Sequence, residues 1–277
     1  EKILELVYNF GNNLTDLDEL QSIRLIQKYK FTLFQLVILD LAGKLKKGEI
    51  HSEISRHIEN IIAEVVNTIE APNGFKMSII ALGKLGSREM GINSDLDLMF
   101  VFRITKADGS EQALGFFERF IKEFSSKTEG FFEIDLRLRP EGKNAPIAIE
   151  ESAFIEYLQS RASLWEKLAL TRARVIAGDE LLGSDLQKRI VAFIVSPFKK
   201  TDLPEILGIR KKIELKNIRK DNNILDIKVS EGGMVDIEFM SQVIKLICAD
   251  RNKGVIGKST IKTLQSIEAR KYYRSQI

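Results

Sequence analysis

Two aspartates one residue apart, Asp95 and Asp97, follow closely on a glycine-serine pair, Gly86-Ser87. An apolar run precedes the pair at 77–82, and another follows the aspartates at 98–102. The pattern reads as strand, turn, strand. Side chains at i and i+2 of a strand point to one face, so Asp95 and Asp97 face together, about 6.5–7 Å apart along the backbone. Two carboxylates placed that way can converge on a divalent ion. Magnesium takes oxygen ligands, commonly one or two carboxylates plus substrate phosphates. Glycine lets a backbone approach a phosphate closely, and amides at a helix start attract anions. Gly86 and Ser87 are therefore expected at a phosphate, with Lys84 near enough in sequence to help. Asp-x-Asp alone would read only as a solvated strand-edge pair, and Gly-Ser alone as a turn.

A second segment changes those odds. Over 131–139, Ile134, Leu136 and Leu138 alternate with Asp135, Arg137 and Arg139. One face is apolar, and the other shows a carboxylate and two guanidiniums. Such a face needs partners if the strand is buried. Asp135 is expected to join Asp95 and Asp97, while Arg137 and Arg139 meet phosphate or another acidic group.

The elements that must position these groups can be read in order. Residues 1–75 are mostly helical: one helix lies in 20–45, including Leu20 and Ile23, and a second runs over 52–70 until Pro72-Asn73-Gly74 ends it. Strands follow at 77–82 and 96–102, then a helix at 111–127 and a strand at 131–138. That succession argues a mixed α/β layer. Helices return at 150–160, 163–176, 181–194, 203–219, 233–249 and 259–270, with a short β excursion at 224–229. The domain reading is a helical segment (1–75), a mixed α/β core (76–178) and a C-terminal helical region (179–277).

Composition narrows the function. With 42 basic and 39 acidic residues among 277, the net charge of +3 does not argue nucleic-acid binding. Cys248 is the single cysteine. It is expected as a buried, inert thiol, and it excludes a disulfide framework or a cysteine-rich zinc site. No apolar run approaches the roughly 20 residues that span a bilayer. A reducing cytoplasm is the simplest compartment. The chain opens on Glu1 and is expected to be an excerpt of a longer protein.

Gly-Ser, a spacer, Asp-x-Asp and a distant third aspartate resemble the polymerase-β-like nucleotidyltransferase superfamily. The wider motifs are more specific. Residues 83–90 with 93–98, the run Asp135-Leu136-Arg137-Leu138-Arg139-Pro140-Glu141-Gly142, the Trp165–Arg174 segment and Gly232-Gly233-Met234-Val235-Asp236-Ile237-Glu238-Phe239 resemble the glutamine synthetase adenylyltransferases. The resemblance implies an α+β nucleotidyltransferase core flanked by helices. It implies magnesium at Asp95, Asp97 and Asp135, ATP as substrate, glutamine synthetase as the acceptor protein, and a PII-type nitrogen-signalling protein as a further partner. The family enzyme carries two related domains, one transferring AMP to a tyrosine and one removing it by phosphorolysis. The motifs here look more like the transferase half. The alternatives are the removing half and a non-catalytic nucleotide-binding module. Glu166, Arg172 and Arg174 are expected in structural roles, and Asp236 and Glu238 at a helix start.

Overall fold

The structure is a computed structural model that describes residues 25–266 apart from 47, 70, 143–144, 197–198, 218–225 and 250. Its organising hairpin is β1 (Phe75–Ala81) and β2 (Leu96–Ile104), paired antiparallel from Phe75↔Ile104 to Ala81↔Leu98. The other edge of β1 pairs antiparallel with β5 (Arg174–Gly178). The other edge of β2 pairs parallel with two short strands, β3 (Ile134–Asp135) and then β4 (Ala148–Glu150). Among the described residues these make one five-stranded mixed sheet.

Both faces of the hairpin are covered, which is why its sequence reads as nearly continuous apolar runs. Met77, Ile79 and Ala81 join Leu98, Phe100 and Phe102 in one core. That core is closed by α1 (Leu25–Leu41), α2 (Glu49–Thr68) and α4 (Gly109–Lys127), with the four-residue turn α3 (Gly83–Gly86) lying between β1 and β2 in the chain. Ile80, Leu82, Met99 and Val101 point the other way. They meet Phe154 of α5 (Glu151–Ser160), Leu168 and Leu170 of α6 (Leu164–Leu170), and Leu186 of α7 (Glu180–Val195). Ile206 of α8 (Leu203–Asn217) and Leu246 of α9 (Met234–Cys248) extend this second core. The first core is filled by large side chains: Phe100 and Phe117 stack at 4.6 Å between ring centroids, and Phe120 meets Phe100 edge-on at 5.6 Å. Cys248 is buried, as expected.

Several expected elements change. The strand read over 131–138 shrinks to β3, because Asp135 turns its carboxylate onto the backbone N–H of Arg137 at 2.8 Å. A side chain that bonds its own backbone two residues on favours a turn over a strand. The segment then curls, with Arg139 N–H donating to Leu136 C=O and Gly142 N–H to Arg139 C=O. The helix read over 163–176 is instead α6 followed by β5. Its start is fixed by a capping box between Ser163 and Glu166. Its end yields to the free edge of β1, which β5 pairs and protects. The β excursion at 224–229 is a turn over its described part, where Asp226 accepts from the N–H groups of Lys228 and Val229. The helix begun at 259 is the short α10 (Thr260–Leu264). Leu20, Ile23 and Ile224, and positions 267–270, lie outside the described residues. Among the described residues no helix is long and apolar enough to cross a membrane.

Two measurements test this packing. Phe117 is fully buried, so Phe117→Ala removes its contacts from the first core and lowers the unfolding free energy by about 3–5 kcal/mol, read from urea denaturation midpoints. Lys245 on α9 is also fully buried and donates to the Lys258 carbonyl at 2.5 Å. Burial, then the charge of Arg172, lowers its pKa to about 7, partly offset by Glu89. Between that value and the unfolded lysine's 10.5 the unfolded chain holds the extra proton, so this group makes stability rise with pH. Lys245→Met removes that rise: its stability relative to the natural protein is greatest near pH 7 and declines towards pH 10, as thermal unfolding at a series of pH values records.

Candidate active site

The site forms where the second helical layer leaves the start of β2 open. Asp97 lies on the face of Met99 and Val101, and Asp95 precedes the strand by one residue. The parallel register of β2 with β3 sets Asp97 opposite Asp135. Paired strands lie about 4.8 Å apart, so the two aspartates are neighbours on adjacent strands. Asp95 is exposed, Asp97 and Asp135 half-buried. The electrostatics record this crowding. The Asp97 carboxyl is pushed up to about 6, first by burial and then by Asp135 and Asp95, against the opposing pull of Arg137 and Arg172. Buried like charges disfavour one another's ionised forms, and a bound cation reverses that.

The glycines of the preceding turn are dictated by contact. Gly83 has φ 50°, and a β-carbon there would stand 2.0 Å from Asp97 Oδ2. At Gly86 it would stand 2.1 Å from the Arg172 carbonyl oxygen and 2.7 Å from that of Ala81. Only glycine permits these approaches. Leu82 N–H donates to the Asp97 carbonyl at 2.9 Å, and Gly86 N–H to the Leu82 carbonyl at 2.8 Å. The turn and the Asp97 carboxylate are thus one packed unit. Ser87 is buried and its hydroxyl donates to the Gly83 carbonyl at 3.0 Å, so it braces the turn from inside. Lys84 is half-buried, and among the described residues its ammonium is unpaired.

The arginines divide into two kinds. Arg137 is largely exposed and its Nε reaches both Asp135 oxygens, at 2.9 and 2.7 Å. Arg139 was expected at a phosphate or an acidic group, but its guanidinium donates to the carbonyls of Leu136, Ala145 and Pro146 at 2.7–3.0 Å. It holds the loop after β3 in shape. Arg174, read as a structural ion-pair residue on a helix, starts β5 instead. It donates to the carbonyls of Gly86 and Leu85 at 3.1 and 3.0 Å while pairing with Glu59 of α2. Its role in bracing the turn was not readable from sequence, because 88 residues separate it from Gly86.

The remaining candidates are structural. Glu166 is buried, accepts from Ser163 at 2.8 Å through backbone and hydroxyl, and receives the Tyr157 hydroxyl. Asp236 at the start of α9 pairs with Arg210 and accepts from Gly232 N–H, and these bonds, led by Arg210, hold its carboxyl below the usual range. Among the described residues no three His, Cys, Asp or Glu side chains form a group that would enclose a metal ion as they stand. Asp135 turns its carboxylate onto Arg137. The donor set still suits a hard cation: it is all oxygen, and Asp97 is crowded by two further carboxylates.

A family model described as glutamate-ammonia ligase adenylyltransferase matches residues 13–189. A Bordetella bronchiseptica protein named bifunctional glutamine synthetase adenylyltransferase/adenylyl-removing enzyme is 34% identical over 233 residues, covering 81% of this chain and 25% of that protein. A protein of the same name from Agrobacterium fabrum is 32% identical over 258 residues, covering 83% of this chain and 25% of its own length. The chain therefore spans about a quarter of the length of these relatives. With the family model matching more than half of it and relatives above 30% identity along four fifths, the chain belongs to the glutamate-ammonia ligase adenylyltransferase family.

Proposed function

We propose that this chain transfers AMP from ATP to a tyrosine of glutamine synthetase, with magnesium held by Asp95, Asp97 and Asp135. The observation that carries the reading is the strand register that sets Asp135 opposite Asp97, beside a glycine turn packed on the Asp97 carboxylate. Family membership supports ATP as the nucleotide.

The chain's own groups divide the work. The backbone of the 83–87 turn lies against the nucleotide phosphates, and the unpaired Lys84 ammonium reaches them. Ser87 and Arg139 act through the backbone they brace. Arg137 releases Asp135 when phosphate arrives and pairs with the anion instead, as a guanidinium readily does. Asp135, freed, completes the carboxylate set and stands where the tyrosine hydroxyl proton can be accepted. Magnesium, when bound, neutralises phosphate charge and orients the attacking and leaving oxygens. Attack at the α-phosphorus joins AMP to tyrosine and releases pyrophosphate. The phosphorolytic reading uses the same carboxylates, with phosphate attacking the α-phosphorus of AMP-tyrosine, the tyrosine oxygen leaving and ADP forming. Gly233-Met234-Val235-Asp236-Ile237-Glu238-Phe239 and Arg139-Pro140-Glu141-Gly142 favour the transferase half by motif.

The deciding assay offers unmodified glutamine synthetase with labelled ATP and, separately, AMP-modified glutamine synthetase with phosphate. AMP incorporation in the first supports transfer; ADP release in the second alone would replace it with removal. Asp95→Asn and Asp97→Asn each lower transfer by about a hundredfold or more, with circular dichroism unchanged; near-normal rates in either would sink the carboxylate assignment. Gly83→Ala, whose new methyl collides with Asp97, lowers transfer to a similar degree at saturating ATP. Rates within about twofold of the natural protein would show that the turn does not need this close approach.

A further inference from the structure

The loop that joins the glycine turn to Asp95 is gripped from two sides. Arg88 sits at φ 58°, a conformation few non-glycine residues adopt without support. On one side, Met90 is fully buried and its N–H donates to Ser55 Oγ of α2 at 3.2 Å. On the other, Glu89 reaches the C-terminal helices: its carboxylate accepts from Thr260 N–H at 2.7 Å and from Thr260 Oγ1 at 3.3 Å. Glu89 N–H in turn donates to the Lys84 carbonyl at 2.8 Å, so the grip passes straight into the glycine turn.

Thr260 has a second partner. Its hydroxyl accepts from Arg172 Nη2 at 3.3 Å while donating to Glu89. Arg172 is 5% exposed, and its Nη1 donates to Glu238 of α9 at 3.4 Å. The Arg172 carbonyl is also the atom that leaves Gly86 no room for a β-carbon, and Gly257 N–H donates to the neighbouring Thr171 carbonyl at 2.9 Å. One threonine hydroxyl thus connects the catalytic loop, the strand-entry turn at 171–173 and the helices α9 and α10. A surface ornament would not be built this way. The hydroxyl is almost buried and uses both its donor and its acceptor capacity.

We infer that Thr260 is the keystone of a latch through which the α9–α10 unit sets the position of the Asp95–Asp97 loop, with Glu89 and Arg172 as its two arms. Thr260, Glu89 and Arg172 are positioning residues and touch no reacting atom. Seating or lifting α10 opens or closes the catalytic loop, so any partner that moves these helices gains control of the rate. The consequence for turnover rests on the adenylyl-transfer reading above; the mechanical coupling does not.

The test uses the intact protein and the variants Thr260→Val, Thr260→Ser and Glu89→Gln. Valine matches threonine in shape and loses the hydroxyl; serine keeps it. Two readouts are taken: amide hydrogen exchange over residues 87–94, which needs no turnover, and AMP-transfer kinetics at varied ATP. With the latch as described, Thr260→Val and Glu89→Gln raise exchange in that loop above its natural level, with the β1 and β2 amides unchanged. They lower kcat by about tenfold or more while KM for ATP stays within about threefold, because alignment and not nucleotide binding is lost. Thr260→Ser restores both readouts. Unchanged loop exchange in both Thr260→Val and Glu89→Gln overturns the latch, as does raised exchange with kcat intact. If the natural protein transfers no AMP to any acceptor, the functional reading falls while the exchange data still decide the coupling.

Discussion

The closest constraint in the molecule is the contact between the Gly83 backbone and the Asp97 carboxylate, where no β-carbon fits. Much else follows from it. The hairpin register must bring the end of β1 beside the start of β2, which the pair Ala81↔Leu98 and the bond from Leu82 N–H to the Asp97 carbonyl accomplish. The turn must then leave β1 at once in a tight helical loop, and a second glycine must slide under the Arg172 carbonyl. A glycine turn and a carboxylate pressed together in this way move as one body. Their relative placement is set by backbone packing, which varies less than side-chain rotamers do.

What the sequence disclosed depended on the range of the cause. Asp95 and Asp97 were legible because strand alternation is local and the flanking apolar runs are long. Asp135 stood out as a further carboxylate, and the strand register sets it opposite Asp97. Its strand was misjudged, since the alternation of Ile134, Leu136 and Leu138 looked like β structure while Asp135 was already bending the chain onto Arg137. The strand β5 was hidden for a different reason. Its residues follow a strongly helical segment, and only the open edge of β1, far back in the chain, draws them into the sheet. Arg174 could not be read at all as a brace for the glycine turn, because nothing near it in sequence mentions that turn.

The arginines explain how so polar a site stays ordered. Arg139 and Arg174 spend their guanidiniums chiefly on backbone carbonyls, which fixes loop shape without demanding a particular neighbouring side chain. Arg172 is buried and shared between Glu238 and Thr260. Arg137 differs: it is exposed, and its partner is the Asp135 carboxylate. Three guanidiniums held largely by backbone or buried partners frame one exposed one. A planar fork suits both tasks, since it can bridge two carbonyls or exchange a carboxylate for a phosphate without changing its own geometry.

The bond from Thr260 to Glu89 spans 171 residues of chain. During synthesis the glycine turn, Asp95 and Asp97 leave the ribosome long before the helix that anchors their loop. At 5–20 residues per second the gap is about ten to thirty seconds. Once Asp135 has followed, the nascent polypeptide carries all three aspartates but still lacks the strut that fixes the loop. The loop is therefore anchored only at a late stage of translation, and a message broken off ahead of the Thr260 codon yields a sheet without that anchor.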